Sequence, residues 1–107
     1  MNDLRRKGYE MEAEILQSLA HPIRLAIADL LRRGERCVQD IAETVGAERS
    51  NVSRHLALML KTGVVKTRKQ GQMVMYSLRC ACLLDALACA SEAARQRTQE
   101  DMAALGA

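Results

Sequence analysis

The spacing of apolar residues changes twice along the chain, and this change most constrains the fold. Between residues 9 and 63 apolar side chains recur at helical intervals. Residues 64–68 and 73–78 are instead β-prone runs, and the polar segment between them predicts a hairpin that turns near Gly71. Helical spacing returns from residue 81 to about residue 97. The chain is therefore predicted to be mainly α with one β-hairpin.

Proline and glycine mark the ends of the predicted helices. Pro22 suits the first turn of a second helix, and Gly34 suits its C-terminal end. Two further short helices are joined around Gly46: one covers residues 38–45, and the other begins after Ala47-Glu48 and ends at Gly63. Two short helices connected by about three residues make a helix-turn-helix. A hairpin directly after this motif is a wing, so the predicted fold class is a winged helix-turn-helix.

The length of 107 residues supports a single domain over residues 1–107, with residues 1–8 as an N-terminal arm and 98–107 as a frayed tail. Phe and Trp are absent from the composition. A core of Leu, Ile, Val, Ala and Met suits packed helices. The charged N-terminus is unlike a signal peptide, and no apolar run approaches the roughly 20 residues that span a bilayer. We therefore expect a cytoplasmic protein with no membrane partner.

Positive charge is concentrated in one segment, although the net charge is only +3. Residues 49–79 contain seven Lys or Arg and no Asp or Glu. Residues 1–48 contain seven basic and nine acidic side chains, and residues 80–107 contain two and four. A basic segment between acidic ones is the electrostatic pattern of a nucleic-acid-binding face. Double-stranded DNA is the predicted partner.

The helix that begins near Arg49 has the side chains of a DNA-reading helix. Val52, Leu56, Met59 and Leu60 form its predicted buried stripe, so the short polar residues between them project elsewhere. Arg and Asn side chains can bridge guanine and adenine edges in the major groove, and basic wing residues would meet phosphates or the minor groove. The candidate DNA-binding residues are Arg49, Ser50, Asn51, Ser53, Arg54 and His55 on the helix, and Lys66, Arg68, Lys69 and Gln72 on the wing.

These features together resemble the ArsR/SmtB family of metalloregulatory repressors. The resemblance covers residues 9–97 and rests on His21-Pro22-Ile23-Arg24-Leu25, on Ser50-Asn51-Val52-Ser53-Arg54-His55-Leu56, on Gly63-Val64-Val65 and on the wing from Gly71 to Leu78. It implies a homodimer built on the first and last helices, a palindromic operator, and an inducer that releases the DNA. A two-fold dimer separately predicts half-sites about one helical turn apart.

Four cysteines are candidate sensors, because thiols stay reduced in the cytosol. Cys80 and Cys82 flank the start of the last helix, and Cys89 follows seven residues later. If two last helices pack antiparallel, Cys89 of one chain approaches the pair of the other, and three thiolates favour soft species. The predicted inducer is As(III), Sb(III) or a soft divalent metal ion, with no obligatory cofactor. Cys37 is a weaker candidate, since it sits at an N-cap with Asp40 in a capping-box position.

The resemblance fits no known sensor site of the family completely. The zinc sensors imply a second ligand pair around Ala93 and Gln96, and neither residue binds metal. The arsenic sensors imply a Cys-Val-Cys pair where this chain has Cys37 and Gln39. A thiol-redox or persulfide switch and ordinary packing of the thiols therefore remain alternatives.

An enzyme is not predicted, because the chain has no Gly-rich phosphate loop, nucleophile–base set or paired carboxylates in an apolar setting. A DNA binder without a ligand, or a winged helix used only for protein interaction, stays open.

An inducer bound at Cys80 and Cys82 would act on the link between the wing and the last helix. It would thereby alter the separation of the two recognition helices in a dimer.

Overall fold

Five helices and three short strands make up residues 1–106, the part of the chain that this computed structural model describes. Their order confirms the predicted fold class of a mainly helical winged helix-turn-helix. The elements are α1 (Asp3–Leu19), α2 (Pro22–Leu31), β1 (Arg36–Cys37), α3 (Val38–Val45), α4 (Arg49–Thr62), β2 (Val65–Gln70), β3 (Met73–Leu78) and α5 (Leu83–Gly106).

Local capping explains where several helices begin and end. His21 is the N-cap of α2, and its Nδ1 accepts a hydrogen bond of 3.1 Å from the backbone N–H of Ile23. Gly46 ends α3 with φ at 72°, a left-handed conformation that glycine adopts without steric cost. Cys37 is the N-cap of α3, but its thiol makes no capping hydrogen bond, so the predicted capping box is wrong. The Cys37 side chain is instead packed in the interior, at 8% exposure.

The three strands form one antiparallel sheet in the order β1-β3-β2. Strands β2 and β3 pair over six residues, from Val65 opposite Leu78 to Gln70 opposite Met73. The short β1 pairs with the other edge of β3, with Arg36 opposite Tyr76. The wing is thereby joined through β3 to the segment that leads into the helix-turn-helix.

The core lies where α2, α3, α4 and the base of the wing meet. Its fully buried side chains include Ile27, Ile41, Leu56, Met59 and Val65. The helical stripe predicted for α4 is confirmed at Val52, Leu56 and Met59, whereas Leu60 is 41% exposed and lies outside it. Burial of this stripe fixes which face of α4 is left for solvent.

The two terminal helices are longer than predicted. Residues 3–8, expected to be an arm, are the first turns of α1, because Oδ1 of Asn2 caps the helix by accepting from the N–H of Arg5 at 2.8 Å. Residues 98–106, expected to fray, continue α5. Helix α5 carries the ion pair of Glu92 with Arg95, and Leu84 is its one buried residue within the described chain. Both helices are therefore largely exposed.

The molecule is extended for its size. Its Cα radius of gyration is 16.8 Å, whereas a compact domain of this length has a radius of about 13 Å. Its principal extents are 59 × 43 × 22 Å, and a helix as long as α5 spans about 36 Å at 1.5 Å per residue. The terminal helices thus project from the winged core.

Candidate nucleic-acid interface and thiol pair

One face of α4 is free of packing and carries polar side chains. Burial of Val52 and Leu56 turns the predicted DNA-binding residues of this helix outward. Of these, Arg49, Ser50, Ser53 and Arg54 are exposed, and Asn51 is half-buried. Helix α4 has no acidic residue in its first turn. The geometry therefore suits an approach to an anionic surface.

His55 differs from its neighbours because its ring is partly packed against α2. The ring centroids of His55 and His21 lie 4.5 Å apart. Desolvation lowers the pKa of His55, and the nearby His21, Arg24 and Arg54 lower it further by charge repulsion. His55 is thus favoured in its neutral form and is less available to a duplex than the exposed side chains of α4.

The lowered pKa of His55 predicts a pH dependence of stability. Protons bind His55 more weakly in the folded chain than in the unfolded chain, so the unfolded state takes up a proton first as pH falls. Stability should therefore decline as pH drops through the ordinary histidine range near 6.5 and level off below the folded pKa. Thermal melts from pH 7.5 to 5 should show a smaller decline for His55→Gln. An identical decline in the variant would assign the effect to other groups.

The wing places further cations and a cleft beside α4. Lys66, Lys69 and Gln72 are exposed. A cleft of about 330 Å³ between the hairpin and the N-terminal ends of α3 and α4 is lined by residues that include Arg49, Ser53, Gln72 and Cys37. The fold thus brings predicted DNA-binding residues of the helix and of the wing to one cleft.

Arg68 has a partner that the sequence did not predict. Its Nε donates to both carboxylate oxygens of Glu35 at 2.9 Å, its Nη2 also bonds to Glu35, and Nη2 donates to Oε1 of Gln70 at 2.8 Å. The hydrogen bond from Arg68 lowers the pKa of Glu35, and the charges of Arg68 and Lys66 act in the same direction. Arg68 is therefore held by an acidic side chain, unlike Lys66 and Lys69.

Cys80 and Cys82 form an exposed thiol pair between the wing and α5. Their sulfur atoms lie 2.7 Å apart in the turn that precedes the helix. The hydrogen bond between the two thiols lowers the pKa of Cys80 and raises that of Cys82. Cys80 is therefore the more easily deprotonated of the two thiols, and the thiolate is the reactive form of cysteine.

The other two cysteines lie apart from this pair. Cys89 is exposed on α5, and Cys37 is buried beneath the wing. Within residues 1–106, no group of three or more His, Cys, Asp or Glu is arranged to hold a metal ion. A single chain therefore offers two neighbouring thiols and needs another ligand to complete a three-coordinate site.

Comparison with known proteins decides the family. The family model described as bacterial regulatory protein, arsR family, matches residues 21–67. An HTH-type transcriptional regulator of Mycobacterium tuberculosis is 36% identical over 83 residues, which cover 77% of this chain and 73% of the relative. The chain belongs to the ArsR family of bacterial regulatory proteins.

Two further similarities extend this assignment. The HTH-type transcriptional repressor SmtB of M. tuberculosis is 34% identical over 91 residues, which cover 81% of this chain and 67% of the repressor. A homodimeric winged helix-turn-helix DNA-binding domain of Mycobacterium bovis superposes with a TM-score of 0.78 at 26% identity, covering 94% of this chain and 93% of that domain.

Membership of this family confirms that the protein is a transcriptional regulator and not an enzyme. In residues 1–106, none of the helices combines the length and the apolar character that a bilayer crossing requires. A regulator of this family acts through a DNA-binding surface.

Proposed function

We propose that this protein is a homodimeric, inducer-responsive repressor that binds a palindromic operator and is released by a thiophilic ligand at Cys80 and Cys82. One observation carries the proposal: the exposed thiol pair lies at the junction of the wing with α5. A ligand bound there would constrain the connection between the DNA-binding hairpin and the last helix. The repressor would act in the cytoplasm, as the sequence predicts.

The DNA-binding part rests on the free face of α4 and on the wing. Arg54 and Ser50 are exposed on a helix whose opposite face is buried, which is the geometry of a helix that enters the major groove. Lys66 and Lys69 on the hairpin are cations suited to phosphates. Base contacts from α4 would specify the sequence, and the wing would add salt-sensitive affinity.

The dimer is supported by apolar surface that the single chain leaves uncovered. A groove lined by Leu16 and Leu19 of α1 and by Leu83, Leu87 and Ala90 of α5 opens to solvent. Leu16 is 54% exposed. A second copy would cover this groove, and the homodimeric domain of M. bovis that this chain resembles has the same fold.

The inducer is proposed from the chemistry of the thiols. Thiolates select soft species such as As(III), Sb(III) or Cd(II) over hard cations. Cys80 and Cys82 would supply two ligands, and Cys89 of the partner subunit would supply a third if the two α5 helices pack antiparallel. Buried Cys37 lies outside this group. Release requires that the ligand bind the DNA-free dimer more tightly than the DNA-bound dimer.

The proximity of the two sulfur atoms also favours a second candidate, a thiol-redox switch. Loss of two electrons and two protons from Cys80 and Cys82 would join their sulfurs, with a polysulfide or persulfide as the species reduced. The two candidates are distinguished by reversal with a reductant that is not a thiol, since a chelating dithiol both removes arsenite and reduces a disulfide. Tris(2-carboxyethyl)phosphine would restore DNA binding only in the redox case.

Anisotropy titration of reduced protein against a labelled duplex from the region upstream of its gene tests the proposal. Wild type should bind with a steep salt dependence, and arsenite, antimonite or cadmium should release it. Cys80→Ser/Cys82→Ser should keep the DNA affinity and lose the response, because no thiolate remains at the junction. Cys37→Ser is the matched control and should respond as wild type does. A normal response in the double variant would overturn the thiol site while leaving DNA binding intact.

A further inference from the structure

Glu35 lies against the cationic side of the wing although it is 33 residues from its partner in sequence. It precedes β1, and Arg68 lies in the middle of β2. The guanidinium group bonds to both carboxylate oxygens of Glu35 and also donates to the side-chain oxygen of Gln70. This is the two-pronged geometry that arginine makes with carboxylates and, equally, with phosphates.

The sheet register explains why these residues meet. Met75 on the central strand pairs with Cys37 on one side and with Arg68 on the other. Paired residues of an antiparallel sheet share a face, and alternate residues along a strand return to that face. Arg68 and Lys66 therefore project from the same face of the wing. Glu35 directly precedes β1, the strand at the opposite edge of the sheet from β2. The charges of both cations act on the carboxylate of Glu35.

Because this pair is exposed, it is available for exchange. The side chain of Arg68 is 53% exposed and that of Glu35 is 32% exposed. An exposed ion pair contributes little net stability and weakens in salt. The pair is therefore easily broken when another anion approaches, and it is not needed to hold the fold together.

We propose that Glu35 is an internal competitor of DNA: its carboxylate occupies the guanidinium of Arg68 in the free protein and lowers the affinity of the wing for a duplex. The inference rests on the proposed function, since it presupposes that the wing binds DNA. When a DNA phosphate replaces the carboxylate as the partner of Arg68, Glu35 lies unpaired near the DNA backbone and repels it. Both effects weaken binding, so the acidic side chain sets the affinity below what the cations of the wing would otherwise provide.

The test compares duplex affinities across salt concentrations for wild type, Glu35→Gln, Arg68→Gln and the double variant. Glu35→Gln should bind roughly twofold to fivefold more tightly near 0.1 M salt, and the gain should shrink as salt rises, because the removed interactions are exposed. Arg68→Gln should bind more weakly than wild type. In the Arg68→Gln background, Glu35→Gln should give less than half of the increase in duplex affinity that it gives in wild type, because the guanidinium with which Glu35 pairs is absent.

A matched control separates this effect from a general change of charge. Glu92 also pairs with an arginine, Arg95, but on α5. Glu92→Gln therefore changes the net charge by the same amount and should leave the affinity near that of wild type. An equal gain in both glutamine variants would overturn the inference.

Two other outcomes test the inference separately from the proposed function on which it rests. If wild type binds the duplex and Glu35→Gln binds equally or more weakly, Glu35 is no competitor, and the proposed function survives. If neither protein binds any duplex at low salt while both melt cooperatively, the proposed function and the inference both fail.

Discussion

Leu16→Glu is expected to leave the chain folded but monomeric and to lower its affinity for a palindromic duplex by about 100-fold or more. Leu16 is 54% exposed in the single chain, so a carboxylate there costs the core little. In a dimer that covers the groove between α1 and α5, the same carboxylate would be buried without a partner, which is strongly unfavourable. Light scattering would give the mass, and anisotropy would give the affinity.

Leu105→Glu is the matched control, because Leu105 is 88% exposed near the end of α5 and lies outside the groove. It should remain dimeric and bind normally. A duplex with a single half-site adds a second control, since Leu16→Glu should bind it about as well as wild type does when each chain makes its own contacts. A Leu16→Glu protein that stays dimeric would show that the groove is not the interface.

The order of elements and most of the core could be predicted because both depend on local patterns. Apolar residues at helical spacing placed Val52, Leu56 and Met59 inside, and the left-handed Gly46 ends α3 as expected. The alternation of β-prone residues around Gly71 gave the hairpin. These signals are short-range, and tertiary packing did not override them here.

Long-range features could not be predicted in this way. The pairing of Glu35 with Arg68 requires that β1 and β2 lie on opposite edges of one strand, and no local signal sets that arrangement. The contact of His21 with His55 likewise depends on how α2 packs against α4. The lengths of α1 and α5 were underestimated because a polar helix end resembles a loop in sequence when its apolar residues are few.

Arg54→Ala is expected to weaken binding to the operator by about 10-fold to 100-fold while changing binding to unrelated duplexes much less. The exposed guanidinium lies on the free face of α4, and a good two-pronged contact with a guanine edge discriminates against other bases by that order. The operator would be obtained by selection from random duplexes with wild-type protein. Repeating the selection with the variant should show relaxed preference at one position of each half-site.

Two comparison variants distinguish sequence reading from charge. Lys66→Ala removes a wing cation and should weaken all duplexes alike, with the slope of log affinity against log salt reduced by about 0.9 for each phosphate contact that is lost. Arg97→Ala removes the same charge as Arg54→Ala from an exposed position in the C-terminal half of α5 and should change neither affinity nor preference. If Arg54→Ala instead behaves like Lys66→Ala, then Arg54 contacts the backbone, and sequence is read by Ser50, Asn51 and Ser53. In that case Arg54 would contact the DNA backbone, and only the residues of α4 that precede it would enter the groove.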